Sequence, residues 1–170
     1  VNAGRPMQCH VHFENVEGAT GWASRILVTE ELEASLRSSS VRFEELRIGT
    51  TTIAFAPNTT GYVGQVPLDI DATRTVICQI SALANASTNT IQVYLQALDP
   101  STGLPDSAAD FGLLPPKSPG KEELASGYLK FRVLPSETLG ALGAPLESRS
   151  ARQVSNTAST QLNQSPPFVT

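Results

Sequence analysis

Apolar and polar residues alternate along much of this chain with a period of two. In residues 7–14 the side chains of Met7, Cys9, Val11 and Phe13 fall on one side of an extended backbone, and polar side chains fall on the other. Similar alternation recurs at residues 22–29, 50–56, 61–70, 73–84, 91–97 and 129–133. The pattern predicts half-buried antiparallel β-strands, with the first two strands pairing as neighbours.

Three stretches modify this pattern. Residues 30–40 space Leu32 and Leu36 four apart behind an acidic start, which fits one or two helical turns or an extended crossover. Residues 41–48 change phase between Phe43 and Leu46, as a β-bulge at Glu44-Glu45 produces. Pro67 cannot donate a ladder hydrogen bond, so its strand is predicted to lie at an edge or to end there.

A long segment rich in Pro, Gly and Asp begins at Asp99 and separates the strands at 91–97 and 129–133. Its apolar side chains need burial, so we predict an ordered, packed loop that joins the two strands of a hairpin. These side chains are Leu104, Phe111, Leu113 and Leu114.

Eight to ten short strands with little helix predict an all-β fold, specifically an antiparallel, immunoglobulin-like (Greek-key) β-sandwich with one long ordered loop. A barrel is less favoured. Residues 152–160 are predicted to form the last strand. The predicted organisation is a single domain over residues 1–162, followed by an exit linker or terminal segment at 163–170.

The composition of the chain limits the partners and the cellular location that it can have. The net charge is −4, only 16% of residues are charged, and the three lysines all lie in the last third, so there is no basic stripe for nucleic acid. No apolar run reaches the length of about 18 residues that membrane insertion requires. The N-terminal residues lack the basic and apolar regions of a signal peptide, so we expect a mature fragment or an excised module. The Ser, Thr, Asn and Gln content suits a secreted or cell-surface β-protein.

Two modifications are compatible with that setting. Cys9 and Cys78 lie in separate predicted strands, outside any CxxC motif, and either form one inter-strand disulfide or remain two buried free thiols. Asn-x-Ser/Thr sequons at Asn58, Asn85 and Asn163 make a glycoprotein possible.

Metal ligands are available but not in a diagnostic pattern. Asp99, Asp106 and Asp110 surround the long loop and supply oxygen atoms for Ca²⁺, although Asx-turns explain their positions equally well. His10 and His12 share one face of a strand without a visible third ligand, and two solvent-facing residues are the simpler interpretation. No other cofactor is indicated.

Catalytic motifs are missing from the sequence. There is no GxSxG, HExxH or nucleotide-binding glycine loop. The adjacent pair Glu44-Glu45 is predicted to diverge to opposite faces of its strand, and hydrolysis of a glycosidic bond needs convergent carboxylates. Lys130 shares a face with Tyr128 and Arg132, which places it outside rather than in the core where an isopeptide bond would form. The chain is predicted not to be an enzyme.

Four stretches together resemble a repeat domain of large secreted and surface-attached bacterial proteins, similar to immunoglobulin-like stalk and adhesin modules. They are HVHFENVEGAT followed by ILVTEEL, ALDPSTGLPDSAADFGLLPP, SGYLKFRVLP and VSNTASTQLNQSPP. The loop is the most specific match, to the pattern DPxTGxPxxDPLxGFLPPN. The sequence departs from that pattern at 106–114, and Leu162 replaces the Asp of the family's closing FDxN.

The resemblance implies a structural, non-catalytic extracellular module of a surface stalk, filament or matrix protein. Such a module acts by domain–domain assembly with neighbouring domains or copies of itself. The alternative is an adhesin-type module for cell adhesion, which binds a carbohydrate or protein receptor through the long loop or an aromatic patch. Few aromatic residues are available for sugar stacking, since Trp22, Tyr62, Tyr94 and Tyr128 are the only Trp and Tyr residues.

Overall fold

A computed structural model describes residues 4–136, which form two antiparallel four-stranded sheets and no helix. The prediction of an antiparallel, all-β sandwich is confirmed. The strands are β1 (Met7–Glu14), β2 (Arg25–Glu31), β3 (Leu36–Ile48), β4 (Thr51–Thr59), β5 (Gly61–Asp69), β6 (Thr75–Asn85), β7 (Thr90–Leu98) and β8 (Ser126–Pro135).

The first sheet has the order β1-β8-β3-β4 and the second the order β2-β7-β6-β5. The predicted pairing of the first two strands is therefore wrong, because β1 pairs with β8 and β2 pairs with β7. The predicted hairpin around the long loop is also wrong, since β7 and β8 belong to different sheets. Both errors have one cause: alternation identifies the buried face of a strand but not its neighbour.

The core lies between the inner faces of the two sheets. Phe43, Leu46 and Phe131 fill it from the first sheet, and Ile80 and Leu95 fill it from the second. Each comes from the apolar set of its strand's alternation, so the period of two is the property that builds the sandwich.

Residues 32–35 form a turn between β2 and β3, with the Leu36 amide donating to the Glu33 carbonyl at 2.8 Å, so the extended alternative for residues 30–40 holds and the helical one does not. The predicted β-bulge is confirmed by a register shift between Phe43 and Glu45. Pro67 is confirmed on an edge strand, because β5 ends the second sheet.

Other predictions stay open. The immunoglobulin-like Greek-key topology remains a prediction. The last strand at 152–160 and the linker at 163–170 lie outside the described residues. In the part of the chain that the structure describes, no helix is long and apolar enough to cross a bilayer.

Candidate functional site

The long loop, residues 99–125, crosses from the second sheet to the first at one end of the sandwich. Leu113 and Leu114 are buried and Phe111 packs against the core, as predicted. Leu104 is 63% exposed, so its predicted burial is wrong. Leu104 occupies a tight turn closed by the Asp99 amide, which donates to the Leu104 carbonyl at 2.8 Å, and this turn projects into solvent.

Backbone bonds join the loop to the segment before β2. The Ala23 amide donates to the Leu114 carbonyl at 2.8 Å, and the Leu113 amide donates to the Ala23 carbonyl at 2.9 Å. The neighbouring Gly112 has no room for a side chain, since a Cβ there would lie 2.8 Å from Trp22 Cβ. The loop thus behaves as a short additional strand against residues 22–23.

Asn15, directly after β1, connects three parts of this end. Its side-chain Nδ2 donates to the carbonyls of Gly21 at 3.0 Å and Leu114 at 3.1 Å. Its backbone amide donates to Ala125, and its carbonyl accepts from the Lys117 amide. Asn15 is buried, so these bonds form where water does not compete.

Ion pairs tie the loop to both sheets. Lys117 lies 2.9 Å from Glu14 on β1, and this contact raises the pKa of Lys117. Arg47 on β3 pairs with Glu123. In the β5–β6 turn of the second sheet, Arg74 lies 3.3 Å from the Asp110 carboxylate and donates to the Asp110 carbonyl at 3.0 Å. The charged groups of the loop are therefore largely committed to contacts within the fold.

A cavity of about 310 Å³ opens at this end of the sandwich, between the loop and the β3–β4 and β5–β6 turns. Its lining combines an apolar floor with hydroxyl and charged groups at the rim. The lining residues are Trp22, Ile48, Gly49, Thr50, Thr51, Leu68, Asp69, Ile70, Asp71, Arg74, Leu113, Pro115, Ser118, Lys121 and Leu124.

Arg74 organises the rim of this cavity. Its guanidinium lies 5.1 Å from the centre of the Trp22 ring, within cation–π range, and also bonds Asp71 at 2.6 Å. The Thr73 backbone amide, followed by the Arg74 and Thr73 side chains, holds the pKa of Asp71 well below its usual range. Trp22 is thus a half-buried wall of the cavity, with one part of its ring covered by Arg74.

The predicted calcium ligands do not converge. Asp99 accepts from the Ser101 amide at 2.7 Å and from the Ser101 hydroxyl, Asp106 accepts from the Ala108 amide at 2.9 Å, and Asp110 pairs with Arg74. The Ser101 contacts lower the pKa of Asp99. Among residues 4–136, no three His, Cys, Asp or Glu side chains are grouped to hold a metal ion. The carboxylates form Asx-turns and an ion pair, as the alternative explanation held.

Cys9 and Cys78 are free thiols on strands of different sheets, so the structure contains no disulfide between them. Cys78 is buried as the alternative predicted, whereas Cys9 is only half-buried. Burial, and then the charge of Glu30 on β2, raises the pKa of Cys9.

Polar side chains interlock on the outer face of the first sheet. The rings of His10 and His12 lie 5.8 and 5.7 Å from the Tyr128 ring, and the Tyr128 hydroxyl donates to Glu45, which raises the pKa of Tyr128. Both histidines are solvent-exposed, the simpler of the two interpretations.

The β-bulge explains one error on this face. Glu44 pairs with Arg132 and accepts from Gln8 at 3.0 Å, while Glu45 accepts from Tyr128, so both carboxylates reach the same outer surface. They were predicted to diverge. The extra residue of a bulge breaks the alternation that this prediction assumed.

The outer face of the second sheet is chemically different, and we call it the neutral face. Its charged residues, Arg25, Glu31 and Asp69, lie at strand ends and its centre is uncharged. Leu27, Val63 and Leu83 are respectively 53%, 80% and 42% exposed on it. Its residues, assigned from strand register and burial, are Arg25, Leu27, Thr29, Glu31, Gly61, Val63, Gln65, Pro67, Asp69, Ile77, Gln79, Ser81, Leu83, Gln92, Tyr94 and Gln96.

The sequons have different settings. Asn58 is exposed at a position of positive φ near the end of β4. Asn85 ends β6, and its side-chain oxygen accepts from the Ser87 amide at 2.9 Å. Asn163 lies outside the described residues. Glycosylation stays a prediction at all three.

Sequence reasoning missed Asn15, Arg74 and the neutral face. Asn15 directly follows Phe13 and Glu14 at the end of the first predicted strand. Nothing in the sequence around it distinguishes a buried amide side chain from an exposed one. The neutral face could have been found, because the outward positions of four predicted strands carry charge only near strand ends, at Arg25 and Asp69.

Comparison of the chain with models of protein families, with curated proteins and with solved structures found no match.

Proposed function

We propose that this chain is a structural, non-catalytic module of an extracellular stalk, filament or matrix protein, an immunoglobulin-like domain that acts by docking against neighbouring domains or copies of itself. The long loop is the observation that carries the proposal. It is the most specific element of the resemblance to surface-protein repeats, and its polar groups bind the two sheets to each other rather than projecting toward a ligand.

Three sets of contacts support this reading of the loop. Asn15 and Ala23 hold its middle by hydrogen bonds, and Lys117 and Glu123 form ion pairs with the first sheet. Asp110 pairs with Arg74 beside the second sheet. A loop attached to both sheets closes one end of the sandwich, and such an end resists shear between the sheets, which suits a load-bearing spacer.

Surface labelling tests the location and the role together. An antibody raised against the folded chain is applied to intact and to permeabilised cells of the source organism, with a cytoplasmic protein as the control antigen. We expect label on intact cells or on shed surface material. Label that appears only after permeabilisation would refute an extracellular structural role.

The cavity beside Trp22 favours a second candidate function, recognition of a carbohydrate receptor. Its volume of about 310 Å³ accommodates a sugar unit, and Trp22, Thr51 and Lys121 offer a ring, a hydroxyl and an ammonium group. A glycan array probed with the full chain tests this candidate, with Thr51→Trp as a variant that fills the cavity. Binding that Thr51→Trp abolishes would support it, and silence across a broad array would exclude it.

A further inference from the structure

We propose that the neutral face is a homotypic docking surface, occupied by the neutral face of a second copy of this chain. This inference rests on the proposed assembly function and specifies the surface that assembles. It follows from the contrast between the outer faces of the two sheets.

The first sheet carries a charged outer face whose groups already have partners. Glu44 binds Arg132, Glu45 binds Tyr128 and Arg47 binds Glu123. Docking a partner there would require these pairs to be desolvated or broken, which costs several kcal/mol for each buried ion.

The centre of the neutral face carries no charge, so docking there has no comparable desolvation cost. One row across its strands reads Leu27, Tyr94, Ser81 and Val63, and the next reads Thr29, Gln92, Leu83 and Gly61. The exposed aliphatic side chains gain free energy when they leave water, at about 25 cal/mol per Å² of apolar surface. Charged residues are typically depleted from the centres of protein interfaces, as they are here.

The chemistry of the polar groups selects the occupant. Gln65, Gln79 and Gln96 form a third row across three strands, with Arg25 at its end. Each carboxamide is both a donor and an acceptor, so a glutamine row can satisfy the same row of another copy, whereas a row of like charges would repel itself. A strongly charged partner would find only Arg25, Glu31 and Asp69 to attract it, and these are of mixed sign and lie at strand ends. The surface that matches the neutral face in charge and polarity is the neutral face itself.

The size of the face sets the strength of the association. Four strands, each about 4.8 Å wide, cover a width of about 19 Å, and seven to nine residues extend about 25 Å, which gives roughly 500 Å² for each copy. A two-fold pair then buries about 1,000 Å², at the lower limit for specific interfaces. We therefore expect a reversible dimer with a dissociation constant in the micromolar range or weaker.

Leu83 is the residue that tests this proposal. It lies on β6, whose two edges are already paired with β5 and β7, so a partner reaches its side chain only from the face and not by adding a strand at an edge. The full chain is studied by sedimentation velocity over a concentration series, as the wild type, Leu83→Glu and Leu83→Lys. Thr52→Glu places the same charge on exposed β4 of the first sheet and is the matched control.

We expect wild-type self-association that weakens at least about tenfold in either Leu83 variant and is unchanged in Thr52→Glu. An equimolar mixture of Leu83→Glu and Leu83→Lys should recover association to within about threefold of wild type, because opposite charges then meet across the two-fold axis. If a Leu83 variant fails to fold, the pair Gln92→Glu and Gln92→Lys replaces it, since Gln92 is the register partner of Leu83 on β7.

Results that contradict the homotypic face can be told apart from results that contradict the proposed extracellular function. Association that persists in the Leu83 variants, or that the mixture does not restore, would overturn the homotypic face and leave an assembly role through another surface. A wild-type chain that stays monomeric to about 1 mM would also overturn it. The surface-labelling result bears on the extracellular structural function independently of all three outcomes.

Discussion

The side-chain amide of Asn15 donates a 3.1 Å hydrogen bond to the backbone carbonyl of Leu114, joining the end of the first strand to the middle of the long loop. Both residues are buried, so the bond forms in an environment of low dielectric constant. The same amide group reaches the Gly21 carbonyl, on the segment that carries the chain to the second sheet. One side chain therefore fixes the relation of three segments that are distant in the sequence.

Replacement of Asn15 by Ala should destabilise the domain by about 2–4 kcal/mol. The carbonyls of Gly21 and Leu114 lose a donor, and a buried polar group without a partner costs about 1–3 kcal/mol. Urea denaturation measured by tryptophan fluorescence reports the change, since Trp22 lies next to the affected segment. Thr52→Ala, on the exposed surface of β4, is the control and should change stability by less than about 0.5 kcal/mol. Equal effects would mean that the Asn15 bonds contribute nothing.

Gly127 is required by the packing of Phe13. The two residues are register partners on β8 and β1, and a Cβ on Gly127 would lie 2.5 Å from the Phe13 ring and also collide with the Arg47 carbonyl. We expect Gly127→Ala to cost about 2–4 kcal/mol, because both neighbours belong to the sandwich framework. Gly4→Ala, which meets nothing within 4 Å, is the matched control. A Gly127→Ala protein with the melting temperature of the wild type would contradict this packing.

The alternation of residues was sufficient to predict the strands but not their neighbours. Cys9 and Cys78 both fall on the apolar sides of their strands, as their sequence positions indicate, yet whether two inward side chains meet depends on strand order. That order is decided by the combined packing of all eight strands. Leu104 shows the converse: an apolar residue in a loop suggests burial, but the turn from Asp99 to Leu104 is closed by local hydrogen bonds and needs no core contact.

The site was less predictable than the fold. The positions of Asp99, Asp106 and Asp110 suggested calcium, but each carboxylate finds its partner within three residues or on Arg74. A carboxylate that caps a turn and one that binds a cation share the same sequence context, so only the geometry separates them.

The two cysteines should be unreactive free thiols. Burial raises the pKa of Cys78 to about 12, so roughly one molecule in ten thousand carries the thiolate at pH 8. Under native conditions we expect iodoacetamide to leave Cys78 unmodified and to modify half-buried Cys9 slowly, while both react in urea. Intact mass should be the same with and without a reductant. A gain of two hydrogen masses on reduction would reveal a disulfide instead.

Two turn carboxylates should make the domain sensitive to acid. Hydrogen bonds from Thr73 and then Arg74 lower the pKa of Asp71, and those from Ser101 lower the pKa of Asp99. A pKa lower in the folded than in the unfolded state stabilises the fold above the unfolded value near pH 4, and this stabilisation is lost as the pH falls through the folded value.

The double variant Asp71→Asn, Asp99→Asn keeps the acceptor oxygens but cannot titrate. Its melting temperature should therefore fall less steeply than that of the wild type between about pH 5 and pH 2. Differential scanning calorimetry at matched ionic strength measures both slopes. Parallel slopes would mean that other groups control acid unfolding.

Substitutions of Asn89 separate two contributions to stability, the left-handed backbone conformation at this residue and the hydrogen bonds of its side chain. It has a φ of 52°, and its side chain accepts from the Ser38 amide at 3.1 Å and donates to the Leu32 carbonyl at 3.1 Å. Asn89→Gly loses these bonds but tolerates the left-handed conformation, and should cost about 1–2 kcal/mol. Asn89→Ala loses the same bonds and adds the left-handed penalty of about 1 kcal/mol.

We therefore expect the stability order wild type, Asn89→Gly, Asn89→Ala in urea denaturation. Asn58 is the matched control, because it has a φ of 63° and its side chain makes no hydrogen bond within the described chain. Asn58→Gly should leave stability unchanged or slightly raised, since only the conformational term applies there. If Asn89→Ala proved as stable as Asn89→Gly, the turn would adopt another conformation in solution.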